Sequence, residues 1–449
     1  MATLAAITKT PVQRKGKSSM AYNALLLFTC LYYTRPEDLI PGLNHIPLEK
    51  IIGGIALIAL ISTFASGRMR KLPLELKLMV VLFCHLILTV PFAFWPGGAF
   101  AVVFEKFPKT VIVAFLVTLL VDRFEELRRL LWVQAASLVV LTISSILIHR
   151  MDNGRLIGAL GGIFENPNDL AINISINFPL CIGFLLAARG MGRKLIWGVG
   201  ALAMLVGVVM TYSRSGLLAM VVAVVICLWE FGVKGKRVYL LAIAGLLCVV
   251  GVGYLIANPH YLARVESLLH GGNVEGSADK GSIEARKQLL MDSVMETIHH
   301  PIVGIGPGNF GAATGTWHVT HNSYMEFASE GGLPALFLFL AILYLAMRNI
   351  KRTRLLPAYR DGPELRLFTG ALWASLAAFL VGALFASFEY HLFPYFMVAY
   401  TSVLYRVASE ASPQPADDTP PKSSARTQLW KRYPGEYRYG NKSKIEATR

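Results

Sequence analysis

Charge is scarce in this chain: only 16% of its 449 residues are Asp, Glu, Lys or Arg, while 54% are hydrophobic. A soluble protein carries about a quarter charged residues, so the composition excludes an ordinary soluble domain. Cysteine is also sparse, and all five cysteines lie inside apolar runs, where they act as small hydrophobic side chains rather than a disulfide framework. What the chain has instead is a series of apolar runs of about 18 or more residues, each long enough to cross a bilayer as a helix.

These runs predict an all-α, polytopic membrane protein with about 12 transmembrane helices and one large loop that contains short helices. The predicted spans lie near 19–34, 49–66, 75–94, 105–121, 128–148, 169–187, 195–212, 216–231, 238–257, 322–347, 367–387 and 392–407. The predicted organisation is an N-terminal segment 1–18, transmembrane helices 1–9 within 19–257, a loop 258–320, transmembrane helices 10–12 within 321–407, and a tail 408–449. The tail is rich in Pro, Ser and charge, which predicts a disordered basic segment.

Basic residues are concentrated in alternate loops, which predicts the orientation of the chain. The basic loops are 68–77, 123–129, 189–194, 234–237 and 348–366. By the positive-inside rule these loops and both termini are cytoplasmic, and the large loop lies on the outer side. The net charge of +15 then reflects topology and contact with anionic membrane lipids. Because this charge is spread over separate loops, we predict no nucleic-acid partner.

Three arginines on the predicted outer side are candidates for binding an anion. Arg214 lies in "TYSRSG", a short turn between two spans; Arg155 opens "RLIGALGGIFENPNDLA"; and Arg286 lies in the "EAR" of a helical stripe within the large loop. The position of each is consistent with an interfacial arginine that reaches toward lipid headgroups. For Arg286, considered by itself, this surface role is favoured. If the three converge on one pocket, their planar guanidinium groups would instead bind a pyrophosphate.

His321 opens the segment "HNSYMEFASEGG", which leads directly into an apolar span. A histidine at a helix start is often a simple boundary residue, but it also suits a general base, because its pKa lies near neutral. His318 lies three residues earlier, yet no third ligand accompanies the pair, so we predict no metal site. Glu326 and Glu330 either orient this helix or the acceptor, or form salt bridges within the bundle.

Glycines mark two further segments. "PIVGIGPGNF" resembles a phosphate-binding loop only superficially, because no strand–helix unit surrounds it, and it predicts a tight, closely packed turn. Gly331 and Gly332 predict a place where helices approach closely.

Taken in order, "RLIGALGGIFENPNDLA", "TYSRSG", "EAR", "PIVGIGPGNF" and "HNSYMEFASEGGLPAL" resemble the O-antigen ligase and polymerase superfamily of bacterial envelope glycosyltransferases. The resemblance covers roughly residues 150–345. It implies a metal-independent, cofactor-free transferase of the inner membrane with its site on the periplasmic side. The implied donor is a glycan on undecaprenyl pyrophosphate, and the implied acceptor is lipid A–core or another glycan.

The resemblance also implies site residues. The functional histidine corresponds to His321 and a functional arginine to Arg214, both with catalytic roles. The implied donor-binding residues are Arg155, Arg214, Arg286, Asn166, Asn168, Asn322 and Tyr324. Glu165 and Asp169 are alternative bases.

Three functions remain open on the sequence. An O-antigen ligase is favoured, a polymerase of O-antigen or exopolysaccharide shares the same motifs, and a transporter of lipid-linked sugars would also need basic residues and many spans. A transporter predicts ionisable residues deep within several helices, whereas here the polar residues gather at one mouth of the bundle. This distribution favours chemistry in a surface pocket.

Overall fold

The computed structural model describes residues 20–34, 51–55, 57, 58, 61, 71–159, 164–257, 278–316 and 318–412. Most of the predicted span 49–66, the start of the large loop and the tail beyond residue 412 lie outside this part. The described residues are overwhelmingly helical, and their strand content is one short antiparallel ladder of Met151–Asp152 with Arg155–Leu156. The all-α class is therefore confirmed.

Fifteen helices of the described part are labelled in chain order. They are α1 Met20–Thr34, α2 Leu74–Thr89, α3 Pro96–Ala101, α4 Phe107–Leu120, α5 Phe124–Ile148, α6 Pro167–Ala187, α7 Met191–Met210, α8 Arg214–Cys227, α9 Tyr239–Ala257, α10 Ala278–His299, α11 Phe310–Ala313, α12 Ser323–Thr353, α13 Pro357–Asp361, α14 Pro363–Gly382 and α15 Leu392–Ala411. Short π-helical turns, Val102–Lys106 and Leu228–Val233, precede α4 and extend α8.

Seven helices in the described residues are long and apolar enough to cross a membrane. They are Leu74–Phe92, Phe124–Ile148, Pro167–Ala187, Met191–Met210, Arg214–Val233, Ser323–Thr353 and Pro363–Gly382. Each coincides with a predicted span. The predicted spans at 19–34, 105–121, 238–257 and 392–407 are also helices, but they are shorter or less apolar, and the total of twelve stays a prediction.

Loops that the charge rule assigns to one side lie at one end of the bundle. Glu230, at the end of α8, contacts Arg354 over 3.1 Å and Lys234 over 2.9 Å. Arg128 and Glu364, near the starts of α5 and α14, form an ion pair of 2.9 Å. These contacts join loops of the predicted cytoplasmic set, as alternate loops of a polytopic bundle should.

Helix α6 forms the centre of the bundle, where it packs against α7, α8 and α14. Its contact with α8 is unusually close, because a Cβ at Gly216 would lie 2.2 Å from the Cβ of Ala171. The hydroxyl of Ser175 on α6 also donates to the carbonyl of Gly216 over 3.0 Å. Close packing thus fixes the first turn of α8, and with it Arg214, on a rigid support.

Helix α12 is broken at Gly332, whose φ of 72° lies in the left-handed region. Pro334 lacks an N–H, so the carbonyl of Glu330 loses its helical partner. The loop before α11 replaces the lost bonds: Ile305 and Gly306 donate to the carbonyls of Ser329 and Glu330 over 2.9 Å each.

Two more bonds complete the repair of the broken helix. The N–H of Leu333 donates to the carbonyl of Pro301 over 2.8 Å, and His85 of α2 lies 2.7 Å from the carbonyl of Gly331 through its Nε2. The glycine-rich segment is therefore a tight, closely packed turn as predicted, and its backbone serves α12. A Cβ at Gly331 would lie 3.3 Å from Leu86 of α2, which is the approach between helices that the sequence predicted, whereas Gly332 approaches the loop instead.

Candidate active site

The turn between α7 and α8 presents Arg214 as the first residue of a helix. Ser213 caps that helix, its hydroxyl oxygen accepting from the N–H of Gly216 over 3.1 Å. Tyr212 completes the reversal with a φ of 51°. A helix N-terminus carries a partial positive charge, which adds to the charge of the guanidinium. The local structure therefore makes this turn attractive to an anion.

Arg155 and Asn168 support this turn from behind. Arg155 donates through Nε to the carbonyl of Thr211 over 3.0 Å and through Nη2 to Oδ1 of Asn168 over 2.8 Å. The same Oδ1 accepts from the hydroxyl of Ser213 over 2.8 Å. Two of the predicted donor-binding residues therefore hold the backbone and cap of the segment that carries Arg214.

The other residues of "ENPND" lie around the start of α6. Asn166 is the N-cap, and its side-chain oxygen accepts from the N–H of Asn168 over 2.8 Å. Glu165 is exposed and faces Arg150 across 3.5 Å. Asp169 lies in the first turn of α6 and is half-buried. Proline at the first helical position and a capping asparagine explain why the helix begins here.

His321 lies just before α12, in a left-handed conformation with a φ of 53°. Asn322 follows as the N-cap, and its Oδ1 accepts from the N–H groups of Tyr324 and Met325 over 3.1 Å each. The hydroxyl of Tyr324 donates to the carbonyl of Leu380 on α14 over 2.9 Å. The segment "HNSY" thus combines a strained histidine with a firmly capped helix that is tied to its neighbour.

The protonation of His321 is set by its surroundings. Burial, together with electrostatic interactions with Arg286 and His318, lowers the pKa of His321 to about 4. The imidazole is therefore neutral near pH 7 and holds a lone pair that can accept a proton. This is the form that a general base requires.

Arg214 and His321 line one cavity with a volume of ≈ 690 Å³. Its remaining lining residues are Ser215, Leu217, Leu218, Val221, Arg286, Lys287, Leu290, Thr320, Asn322, Leu384 and Phe385. The cavity thus combines three fixed cations, one histidine and a broad aliphatic wall. Within the described residues, its lining includes no acidic side chain.

The cavity brings together four of the predicted site residues and leaves the others outside its lining. Arg214, Arg286, His321 and Asn322 line it; the remaining six are Arg155, Asn166, Asn168, Tyr324, Glu165 and Asp169. Arg286 reaches the cavity because Leu289, on the next turn of α10, packs on Ile305 and Phe310. The placement of Arg286 therefore favours the pocket interpretation over the surface role expected from the sequence.

The two glutamates of α12 lie behind the cavity and are engaged by hydrogen bonds. Glu330 accepts from the N–H groups of Gly308 and Phe310 over 2.7 and 3.0 Å, and from the hydroxyl of Tyr390 over 2.9 Å. Glu326 accepts from the hydroxyl of Thr320 over 2.9 Å and from that of Ser387. Of the two roles left open by the sequence, these contacts favour orientation of the helix over salt bridging.

Sequence reasoning missed Lys287, Thr320, Leu384 and Phe385 as cavity residues. Lys287 follows Arg286 directly, so its charge was a signal that could have been read. Leu384 and Phe385 gave no signal, because they end an apolar run and come to the cavity only through tertiary contacts. Ser323 makes those contacts: its N–H donates to the carbonyl of Ala383 over 2.9 Å, and its hydroxyl to that of Ala386 over 2.6 Å.

In the part of the chain that the structure describes, no group of three or more His, Cys, Asp or Glu side chains is placed to hold a metal ion. Two arginines, Lys287 and two helix N-termini are the groups that the cavity offers to an anion.

Residues 199–340 match the family model described as O-antigen ligase. No curated protein matches the chain. The matched segment contains Arg214, Arg286, Lys287 and His321, which are the basic and imidazole side chains of the cavity lining. This match confirms the resemblance to the O-antigen ligase superfamily over residues 199–340.

Proposed function

We propose that this protein transfers a glycan from an undecaprenyl-pyrophosphate carrier to an acceptor hydroxyl at the periplasmic face of the bacterial inner membrane, as an O-antigen ligase with lipid A–core as its acceptor. The single observation that carries this proposal is the shared cavity of Arg214 and His321. The guanidinium of Arg214 can bind a pyrophosphate, and the imidazole of His321 can accept the proton of a hydroxyl. The family domain supports the same class of reaction.

The donor's pyrophosphate fits the charged side of the cavity. Arg214 and Arg286 provide planar forks that match phosphate oxygens, and Lys287 adds a third positive charge. Ser215 and Asn322 place the N-terminal ends of α8 and α12 at the same cavity, and helix N-termini favour anions. The aliphatic side chains Leu217, Leu218, Val221 and Leu290 offer an apolar path for a polyprenyl chain.

In the proposed step the acceptor hydroxyl oxygen attacks the anomeric carbon of the donor sugar, and a new C–O bond forms. The bond from that carbon to the pyrophosphate oxygen breaks, and its electron pair stays on the pyrophosphate. Arg214 and Arg286 stabilise the developing negative charge. The proton of the hydroxyl passes to the neutral imidazole of His321.

A transporter of lipid-linked sugars is a weaker alternative. Deep in the bundle the amide of Gln134 donates to Asn177 over 2.7 Å, and the hydroxyl of Tyr400 donates to Gln134 over 2.6 Å. These buried groups are neutral and bond one another. Three cations instead line the cavity near Arg214 and His321. This arrangement favours a reaction at one end of the bundle.

The test is purified protein in nanodiscs with a lipid-linked glycan donor and separate acceptors. Transfer to lipid A–core, with release of undecaprenyl pyrophosphate, supports a ligase. Transfer only to a second lipid-linked glycan indicates a polymerase. Movement of donor across the bilayer of liposomes that contain the protein, without transfer, indicates a transporter.

Deletion in the native host gives the matching cellular readout. Loss of all long-chain lipopolysaccharide supports a ligase, a core bearing one repeat indicates a polymerase, and loss of exopolysaccharide alone indicates an exopolysaccharide enzyme.

A further inference from the structure

Two separate segments form the wall of the cavity around His321, and they meet at one buried carboxylate. The first segment contains Thr320, His321 and Asn322 at the start of α12, and the second contains Leu384 and Phe385 after α14. Glu326 lies one turn inside α12 and is 4% exposed. Its Oε2 accepts from the hydroxyl of Thr320, in the first segment, and from that of Ser387, at the end of the second.

Thr320 links this contact to the backbone of Asn322, on the other side of His321. The hydroxyl oxygen of Thr320 also accepts from the N–H of Asn322 over 3.1 Å, so bonds on both sides of His321 converge on one side chain. His321 is left-handed, with a φ of 53°, which is unfavourable for a residue with a Cβ. Such a conformation persists only where the surroundings hold it.

The second segment is held in the same way. Ser323 donates its N–H to Ala383 and its hydroxyl to Ala386, and accepts from the N–H of Phe388 over 2.8 Å. Glu326 adds the Ser387 contact to this set. The position of the second wall therefore depends on the first turn of α12.

We infer that Glu326 is a positioning residue that holds His321 and the 384–385 wall in the arrangement required for transfer. The inference rests on the proposed function for its role in transfer, while the placement itself is independent of any reaction. Glu326 acts through Thr320 and Ser387 and does not line the cavity.

Glu330 provides a matched comparison on the same helix. It is also a buried carboxylate, 1% exposed, but none of its partners Gly308, Phe310 and Tyr390 lines the cavity. Loss of either carboxylate removes buried hydrogen bonds and lowers stability. Under our inference only the loss of Glu326 changes the placement of His321.

The first experiment compares kcat and donor KM for Thr320→Val, Glu326→Leu, Glu326→Gln and Glu330→Gln in nanodiscs. A small misplacement of a reacting group costs about 10²-fold in rate, so Thr320→Val and Glu326→Leu should lower kcat by about that factor with little change in KM. Glu326→Gln should retain most of kcat, because an amide oxygen accepts from both hydroxyls. The double variant Thr320→Val/Glu326→Leu should lose less than the sum of the two single effects, because both changes break the shared contact between Thr320 and Glu326.

The second experiment needs no glycan transfer. Diethyl pyrocarbonate modifies neutral histidines, and mass spectrometry compares the modification rate of His321 with that of His300 in the same sample. The rate at His321 should rise several-fold in Thr320→Val and Glu326→Leu and stay at the parent value in Glu326→Gln and Glu330→Gln. Thr142→Val, which removes a buried hydroxyl bonded to its own helix at Leu138, controls for a general loss of stability.

Unchanged modification of His321 in Thr320→Val and Glu326→Leu would overturn the inference, as would a Glu330→Gln effect on kcat equal to that of Glu326→Leu. If the parent protein transfers no glycan while the modification pattern follows our expectation, the proposed function fails and the positioning by Glu326 stands.

Discussion

Behind the turn that carries Arg214, Nη2 of Arg155 donates a hydrogen bond to Oδ1 of Asn168 over 2.8 Å. Oδ1 of Asn168 also accepts a hydrogen bond from the hydroxyl of Ser213, so Arg155 and Asn168 together fix the N-cap of α8. The family pattern pointed to direct donor binding by both residues, whereas the contacts favour support of the turn.

This pairing leads to a prediction for Arg155→Lys and Asn168→Ala. Each should weaken donor binding by roughly tenfold by loosening the Arg214 turn, since loss of a hydrogen bond to a charged group costs about 1.5–3 kcal/mol. The double variant should be little worse than either single variant, because the two changes remove one shared contact. Binding of undecaprenyl pyrophosphate to detergent-purified protein measures this.

Arg150→Ala is the matched control for that prediction. Arg150 faces Glu165 across an exposed 3.5 Å pair, and exposed ion pairs contribute about 0–1 kcal/mol. Donor affinity should therefore stay near the parent value. Strictly additive effects of Arg155→Lys and Asn168→Ala would contradict the shared-contact account.

His321→Ala should abolish most transfer while leaving donor binding largely intact, because a base acts on the acceptor hydroxyl. Loss of a general base costs about 10²–10⁴-fold in rate. Turnover measured beside donor binding separates the two effects, and His318→Ala serves as the neighbouring control. Normal turnover in His321→Ala would remove this residue from the mechanism and make Glu165 or Asp169 the base.

Arg214→Lys tests whether geometry matters in addition to charge. Lysine keeps the positive charge but loses the planar fork, so donor affinity and turnover should both fall, by roughly ten- to a hundredfold. Lys287→Arg is the converse change in the same cavity and should be tolerated, because it keeps the charge and adds a fork. If Arg214→Lys and Arg214→Ala both behave like the parent, Arg214 is an interfacial anchor.

The pH dependence of transfer follows from the lowered pKa of His321. The base form is neutral, so kcat/KM should hold from neutral pH into the acid range and fall as the pH drops through about 4. Arg286 contributes to the lowered pKa by charge repulsion, so Arg286→Gln should raise the pKa of His321 and move the acid limb to higher pH. A pH–rate profile of both proteins provides the check, and identical acid limbs would contradict the charge argument.

Gly332→Ala should destabilise the bundle, because its φ of 72° disfavours a side chain and a Cβ would lie 2.4 Å from the carbonyl oxygen of Ile302. Strain of this kind costs about 1–3 kcal/mol. Gly192→Ala is the matched control, since the space around Gly192 in α7 is open. Thermal unfolding in detergent compares the two, and equal melting temperatures would contradict the role of the break in α12.

The sequence predicted the membrane class and most of the helices because both depend on local composition. An apolar run such as 128–148 must form a helix in hydrocarbon, where every backbone group needs an internal partner. The motif order also pointed to Arg214, Arg286 and His321, which line one cavity in the structure.

The break in α12 shows the limit of that reasoning. Gly332 and Pro334 indicate in the sequence that the helix is interrupted. The groups that bond its free carbonyls come from distant parts of the chain and belong to Ile305, Gly306 and His85.

The tertiary structure alone decided which polar residues share the cavity and which support it. Arg155 and Asn168 look like binding residues in sequence, yet their hydrogen bonds end on the turn of Arg214. Lys287 and Phe385 carry no motif, yet they line the cavity, because α10 and the end of α14 pack against α12. Apolar length and residue type are properties of the chain itself, whereas the direction of a side chain depends on contacts between segments far apart along it.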